Sequence, residues 1–165
     1  MTPNQLAFVA LCNEYCVAVE TPDGDSREMA SRVARLLPRI YICATDLAND
    51  AGAAADCYVD DALDEQTYDQ VRSGLERVFG EDDTYLEVFE EDMKYSDTPI
   101  GASIAEGLAD LFQVFYNMLE AVRDAPDDVA QSVLAGVHDD FTTYWSQTLS
   151  NEMRPFMSSM DLPVK

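Results

Sequence analysis

The sequence is poor in positively charged residues. Ten lysines and arginines stand against 32 aspartates and glutamates, which gives a formal net charge of −22. A basic patch that binds nucleic acid or an anionic membrane surface is therefore not expected. The acidic excess is compatible with a basic protein partner, with multivalent cations, or with a protein that mimics the charge of DNA.

Signals for export and for membrane insertion are also missing. The first residues carry no positive charge, and the apolar run at 6–12 is far too short to span a bilayer. The cysteines lack CxxC spacing and are expected to be reduced thiols; they are Cys12, Cys16, Cys43 and Cys57. Together these features predict a cytoplasmic location.

Motifs with a known chemistry are absent as well. The sequence has no nucleophile elbow, phosphate loop, dinucleotide fingerprint or zinc spacing, so no cofactor and no metal is expected. The segment 81–92 fails the EF-hand template, because Leu86 and Val88 interrupt its oxygen ligands and no central glycine allows the loop to turn.

The hydrophobic residues of the sequence recur mainly with the spacing of α-helices. With 165 residues, of which 47% are hydrophobic, the chain can form one domain with a sizeable core over residues 1–165. We expect an all-α fold, a compact bundle of about five to six helices that are mostly antiparallel.

Several helix ends can be placed from local signals. Thr2 and Gln5 form a capping box for a first helix that reaches about residue 20, and Asp64 and Gly80 bracket a third. Pro38 predicts a kink or a break in the second helix, which starts near Asp25. A short helix is predicted at 85–91.

One long helix organises the rest of the chain. Thr98 and Pro99 predict its start, and an apolar stripe runs along residues 100–123. A polar stripe follows the same spacing, and its members are Glu106, Asp110, Gln113, Asn117 and Glu120. Either this stripe is a solvated face, or it lines a groove.

The only histidine lies on the last helix, which is predicted to begin at Pro126 and to bend or end before Pro155. The link at 124–125 is so short that this helix should run antiparallel to the long one. His138 is then either a structural residue on an apolar face, or a proton shuttle or metal ligand near Glu106 and Asp110.

Four of the ten cations fall within one short stretch, and they are Arg27, Arg32, Arg35 and Arg39. We expect them to pair with acids on adjacent helices rather than to bind an anion.

Four segments of the chain resemble an uncharacterised bacterial family, domain-of-unknown-function family 5063. They read LLPRIY at 36–41, GEDDTYLEVF at 80–89, DMKYSDTP at 92–99 and EGLADLFQ at 106–113, with a weaker match at 141–145. The resemblance implies a compact helical domain and no established reaction. In the family pattern a histidine tends to precede the late tryptophan, whereas this chain has Tyr144 there.

Three functions stay open on these grounds. The first is an interaction or regulatory protein whose acidic surface and 81–98 loop face a basic protein partner. The second is a metal-assisted or acid/base enzyme that uses Glu106, Asp110 and His138, and the third is a DNA mimic. The oligomeric state cannot be read from the sequence. The candidate binding residues are Asp82, Asp83, Tyr95, Asp97, Glu106, Asp110, Gln113 and His138.

Overall fold

Helices make up most of the fold, as the sequence predicts. The computed structural model describes residues 1–22, 24–50, 59–87, 94–95 and 97–159. Helices α5 and α6 are joined by a turn of π-helix, so they follow each other without a loop. The elements are α1 (Pro3–Glu20), α2 (Ser26–Asp50), α3 (Glu65–Phe79), a 3₁₀ turn (Gly80–Asp83), β1 (Thr84–Glu87), β2 (Ile100–Ser103), α4 (Ile104–Val122), α5 (Asp127–Asp140), the π turn (Phe141–Trp145) and α6 (Ser146–Ser159).

The predicted helix caps of α1 and α3 are confirmed. The Gln5 N–H donates to Thr2 Oγ1 at 3.2 Å while the Thr2 N–H donates to Gln5 Oε1 at 2.8 Å, which is a reciprocal capping box. Asp64 accepts from the Thr67 N–H at 2.7 Å. Gly80 follows α3 with φ of 52°, a left-handed conformation that glycine adopts without steric cost.

The start of the long helix was predicted wrongly. It begins at Ile104, with Ser103 as its cap, and not after Thr98 and Pro99. Residues 100–103 instead form β2, which pairs antiparallel with β1 in a register that puts Thr84 opposite Ser103 and Glu87 opposite Ile100. The prediction of a short helix at 85–91 is also wrong for residues 85–87, because 84–87 is a strand. Residues 88–91 lie outside the described part.

The two prolines inside helices do not end them. Helix α2 continues through Pro38, so of the two predicted outcomes the break does not occur. Helix α6 likewise continues through Pro155 to Ser159, so of the two predicted outcomes, a bend or an end before Pro155, the end does not occur.

Helix α4 lies at the centre of the bundle. It packs against α1, α3, α5 and α6, which explains why its buried face is wider than one stripe. The Tyr15 hydroxyl of α1 donates to the Leu108 carbonyl of α4 at 2.7 Å inside the core. Trp145 is fully buried, and its Nε1–H donates to the Val137 carbonyl at 3.1 Å.

The polar stripe of α4 does not form one uniform solvated face. Glu106 is exposed and Glu120 pairs with Arg123 at 2.6 Å, but Asp110 and Gln113 are half-buried and Asn117 is buried. The middle of the stripe lines two cavities, which are described below.

Asn117 shows what a buried member of the stripe does. Its Oδ1 accepts from the N–H groups of Ala62 at 3.0 Å and Leu63 at 2.9 Å, and so it holds the segment that leads into α3. Replacing Asn117 with alanine leaves the buried Leu63 N–H without this acceptor, and we expect the free energy of unfolding to fall by about 1–2 kcal/mol.

Urea denaturation followed by circular dichroism measures this loss. The matched control is Gln113→Ala, one turn earlier on the same helix face, which should cost less than about 0.5 kcal/mol. Equal losses for both variants would show that Asn117 does not anchor the segment.

Candidate functional site: an acidic cleft beside the hairpin

A cleft of about 350 Å³ lies where the hairpin meets α4 and α6. Its lining includes carboxylates from three of these elements, and among the described lining residues none is basic. Its size is that of a site for a small ligand or a single side chain. The four carboxylates are Glu87 of β1, Glu106 and Asp110 of α4, and Glu152 of α6.

Glu152 is the single acidic residue of α6 and lies against Gly107 in the first turn of α4. Only 2% of its surface is exposed, and its Oε1 accepts from the Tyr85 hydroxyl at 3.2 Å. Its Oε2 is also buried and has no hydrogen-bond partner among the described residues. A buried polar atom without a partner is costly, so this oxygen marks a place where a ligand atom would be stabilising.

Gly107 of α4 makes room for this carboxyl group. A Cβ atom at position 107 would overlap the Glu152 carboxyl group and lie 2.9 Å from its Cγ. Glycine weakens a helix interior by about 1 kcal/mol relative to alanine, so its use here is explained by the close approach of the two helices.

Burial raises the pKa of the Glu152 carboxyl well above its ordinary value. The neighbouring carboxylates of Asp83, Asp110 and Glu87 raise it further, because a second negative charge nearby is unfavourable. The hydrogen bond from Tyr85 acts in the opposite direction and is outweighed.

Strand β1 supplies the wall that faces Glu152. Side chains two residues apart point to the same side of a strand, so Tyr85 and Glu87 both face the protein while Leu86 is 61% exposed. Glu87 is buried, and its Oε1 lies 3.7 Å from Nη1 of Arg154.

Asp110 was predicted as a binding residue, and it lies at the boundary of two cavities. Its Oδ1 accepts from the Tyr68 hydroxyl at 2.6 Å, and burial raises the pKa of the Asp110 carboxyl. The second cavity, of about 360 Å³, is lined by Asp110, Gln113 and Tyr144 among others. Tyr144, the position at which the family pattern has a histidine, is 56% exposed.

Asp83 has a structural role in this arrangement. Its Oδ2 accepts from the Ser103 hydroxyl and its Oδ1 from the Ala105 N–H, both at 2.7 Å. The Ser103 Oγ in turn accepts from the Glu106 N–H at 3.1 Å. Asp83 therefore fixes the start of α4 to the 3₁₀ turn and positions the hairpin beside the cleft.

The remaining loop candidates do not reach the cleft. Asp82 and Asp97 are exposed, and Tyr95 is 90% exposed. None of the three is among the described residues that line either cavity. The 81–98 loop as a partner-facing unit lies in part outside the described residues.

His138 also lies apart from the carboxylates that were paired with it. Its Nδ1 is 3.9 Å from Asp139 Oδ1, and its ring centroid is 6.4 Å from that of Phe141. Neither described cavity that contains Asp110 has His138 in its lining. The structure therefore does not show the predicted grouping of His138 with Glu106 and Asp110.

The arginines of α2 do not form the predicted pairs with adjacent helices. Among the described residues, Arg32 pairs with Glu28 of the same helix at 3.6 Å, and Arg27, Arg35 and Arg39 make no ion pair. All four line an open groove of about 660 Å³ that also contains Glu14, Asp25 and Glu28. Its charges are mixed, in contrast to those of the acidic cleft.

Two kinds of feature, a metal-binding cluster and a membrane-spanning helix, are not found among the described residues. The part of the chain that the structure describes brings together no group of three or more histidine, cysteine, aspartate or glutamate side chains with the geometry for a metal ion. Within it, no helix has the length and apolar character needed to cross a bilayer.

Fold and site together define a helical-bundle domain with a short β-hairpin and an acidic cleft between them. The chain belongs to the family DUF5063, a domain of unknown function, whose model matches residues 1–159. The predicted resemblance is thereby confirmed.

A solved structure shows the same fold. Protein BF1032 from Bacteroides fragilis, known from a crystal structure, matches with a TM-score of 0.78 and 22% sequence identity. The match covers 94% of this chain and 90% of that one. No curated protein matches the chain.

Glu152 and Gly107, the two residues at the floor of the cleft, were missed by the sequence analysis. A signal was available for Glu152, since Trp145, Leu149, Glu152 and Phe156 follow the spacing of a buried helix stripe. An acid on such a stripe is a candidate for a buried functional carboxylate.

Proposed function

We propose that this protein is an interaction module whose acidic cleft binds a basic side chain, an arginine or a lysine, of a protein partner. The observation that carries the proposal is the buried Oε2 of Glu152, which lines the cleft and has no hydrogen-bond partner among the described residues. A guanidinium or ammonium group would supply both the missing donor and the missing positive charge.

The lining of the cleft favours an organic cation over a metal ion. The four carboxylates come from three elements, and within the described residues no three of them converge with the geometry that a metal ion would need. The fork of a guanidinium, on a long and flexible stem, can instead reach into a cleft and bond two separate acceptors.

The charge of the whole chain supports the same partner. A net charge of −22 attracts a basic segment over a long range and speeds its association. We place this interaction in the cytoplasm, where thiols stay reduced; the described Cys12, Cys16 and Cys43 are all free.

A pair of peptides tests the proposal. One short blocked peptide carries a single arginine among glycines and serines, and its counterpart carries citrulline, which has nearly the same shape and no charge. We expect the arginine peptide to shift the amide NMR resonances of residues 100–107 and 151–152, and to bind at least about tenfold more tightly than the citrulline peptide. A charge-assisted hydrogen bond is worth about 1.5–3 kcal/mol, which is the basis of that ratio.

Two variants locate the binding. Asp110→Asn removes a carboxylate of the cleft and should weaken arginine binding, whereas Asp46→Asn removes the same charge from an exposed position of α2 and should change it little. Equal binding of the two peptides, or equal effects of the two variants, would refute a specific site and leave only general attraction by the acidic surface.

A further inference from the structure

We propose that a cation entering the cleft replaces the proton of Glu152, so that each binding event releases one proton. This inference rests on the proposed function and adds to it a mechanism of regulation by pH. In the step, the O–H bond of the Glu152 carboxylic acid breaks, the proton passes to water or buffer, and the carboxylate pairs with the bound cation.

The geometry around Glu152 favours the neutral acid while the cleft is empty. Glu152 is 2% exposed as a residue and its Oε2 is buried, so water stabilises an ionised form poorly. Gly107 lets the carboxyl group sit directly against the backbone of α4.

Among the described residues, the groups that face Glu152 supply no compensating cation. The 3₁₀ turn and β1 contribute Asp83, Tyr85 and Glu87. Helix α4 contributes Asp110, and helix α1 contributes Tyr15. On its own helix Arg154 is near, but it is paired with Glu87. The carboxylates of Asp83, Asp110 and Glu87 raise the pKa of Glu152 in the same direction as burial does, whereas the hydrogen bond from Tyr85 lowers it and is outweighed.

A bound cation reverses this balance. It brings a positive charge and N–H donors to the Glu152 Oε2, which has no hydrogen-bond partner among the described residues, and this favours the ionised form. By linkage, a ligand that prefers the ionised acid binds more tightly as the pH rises toward the pKa of Glu152 in the free protein. Affinity should increase by about tenfold per pH unit below that value and level off above it.

Calorimetry with the arginine peptide measures the released proton directly. Phosphate and Tris have different ionisation enthalpies. If one proton is released, the binding enthalpies measured at one pH in the two buffers should differ by about the difference between those ionisation enthalpies. Glu152→Gln has no proton to release and lacks the charged acceptor, so it should bind the peptide more weakly, and any binding that remains should have the same enthalpy in both buffers.

The possible results separate the two proposals. Binding with no dependence on the buffer overturns proton exchange and leaves the cation site intact. No binding of the arginine peptide overturns the cation site, and with it the exchange.

A second measurement needs no ligand. The side-chain carboxyl ¹³C resonance of Glu152, assigned by its loss in Glu152→Gln, should titrate well above the ordinary range for glutamate. Tyr85→Phe removes the hydrogen bond that stabilises the carboxylate, and it should move this midpoint higher. A midpoint in the ordinary range near about 4.3 would overturn the inference, and so would a midpoint that Tyr85→Phe leaves unchanged.

Discussion

Replacing Trp145 with alanine is expected to lower the free energy of unfolding by about 4 kcal/mol. The side chain is fully buried and its ring packs against Phe141 at 4.5 Å and Phe115 at 5.4 Å between centroids, both in edge contacts. Truncation of a buried aromatic to alanine costs about 3–5 kcal/mol, because it removes apolar contacts and leaves a cavity. The variant also loses the hydrogen bond to the Val137 carbonyl.

Urea denaturation followed by circular dichroism is the appropriate measurement, since Trp145 is the only tryptophan and fluorescence would be lost with it. The matched control is Tyr144→Ala, which changes the neighbouring aromatic residue, 56% exposed, and should cost about 1 kcal/mol or less. A loss below about 1 kcal/mol in Trp145→Ala would contradict the central place of this side chain in the core.

The second large effect is expected at Gly107. Alanine is normally the better residue in a helix interior, by about 1 kcal/mol. At position 107, however, its methyl group would overlap the buried carboxyl group of Glu152. We expect Gly107→Ala to destabilise the protein by about 2 kcal/mol, in the range of overpacked cores, and to weaken binding of the arginine peptide.

Gly74→Ala is the matched control for this change. Gly74 is also a buried helical glycine, but a methyl group there would meet its nearest neighbour, Pro22 Cγ, at an ordinary 3.4 Å. The control should therefore gain about 0.5–1 kcal/mol of stability.

A double variant assigns the cost at position 107 to one contact. Glu152→Ala removes the overlapping carboxyl group, so Gly107→Ala should be tolerated in that background. If Gly107→Ala were equally destabilising with and without Glu152, the two residues would not be coupled and the assignment would be wrong.

Local signals predicted the caps of α1 and α3 correctly but did not predict the hairpin. The caps at Thr2 and Asp64 depend on neighbours three residues away, so the sequence alone was sufficient to find them. Thr98 and Pro99 carry an equally good start signal, but strand pairing of 100–103 with 84–87 outweighs it. That pairing joins residues up to 19 positions apart (Thr84 with Ser103), which no local pattern reveals.

The candidate site was predicted in part for the same reason. The spacing of Glu106 and Asp110 on one helix face indicated a polar stripe, and both residues line the cleft. The sequence analysis grouped these two carboxylates with His138, because α5 follows α4 after a short link. The residue that faces them across the cleft is instead Glu152, one helix further on, because the π turn carries the chain directly into α6. The DNA-mimic interpretation stays a prediction.

Intermolecular NOEs test most directly whether the cleft is a cation site. With the arginine peptide bound, the δ-protons of its arginine should give NOEs to the ring protons of Tyr85, which lines the cleft and donates to Glu152. These NOEs should disappear with the citrulline peptide at the same concentration. NOEs confined to exposed aromatic residues elsewhere, such as Tyr95, or NOEs of equal strength from both peptides, would contradict the proposed site.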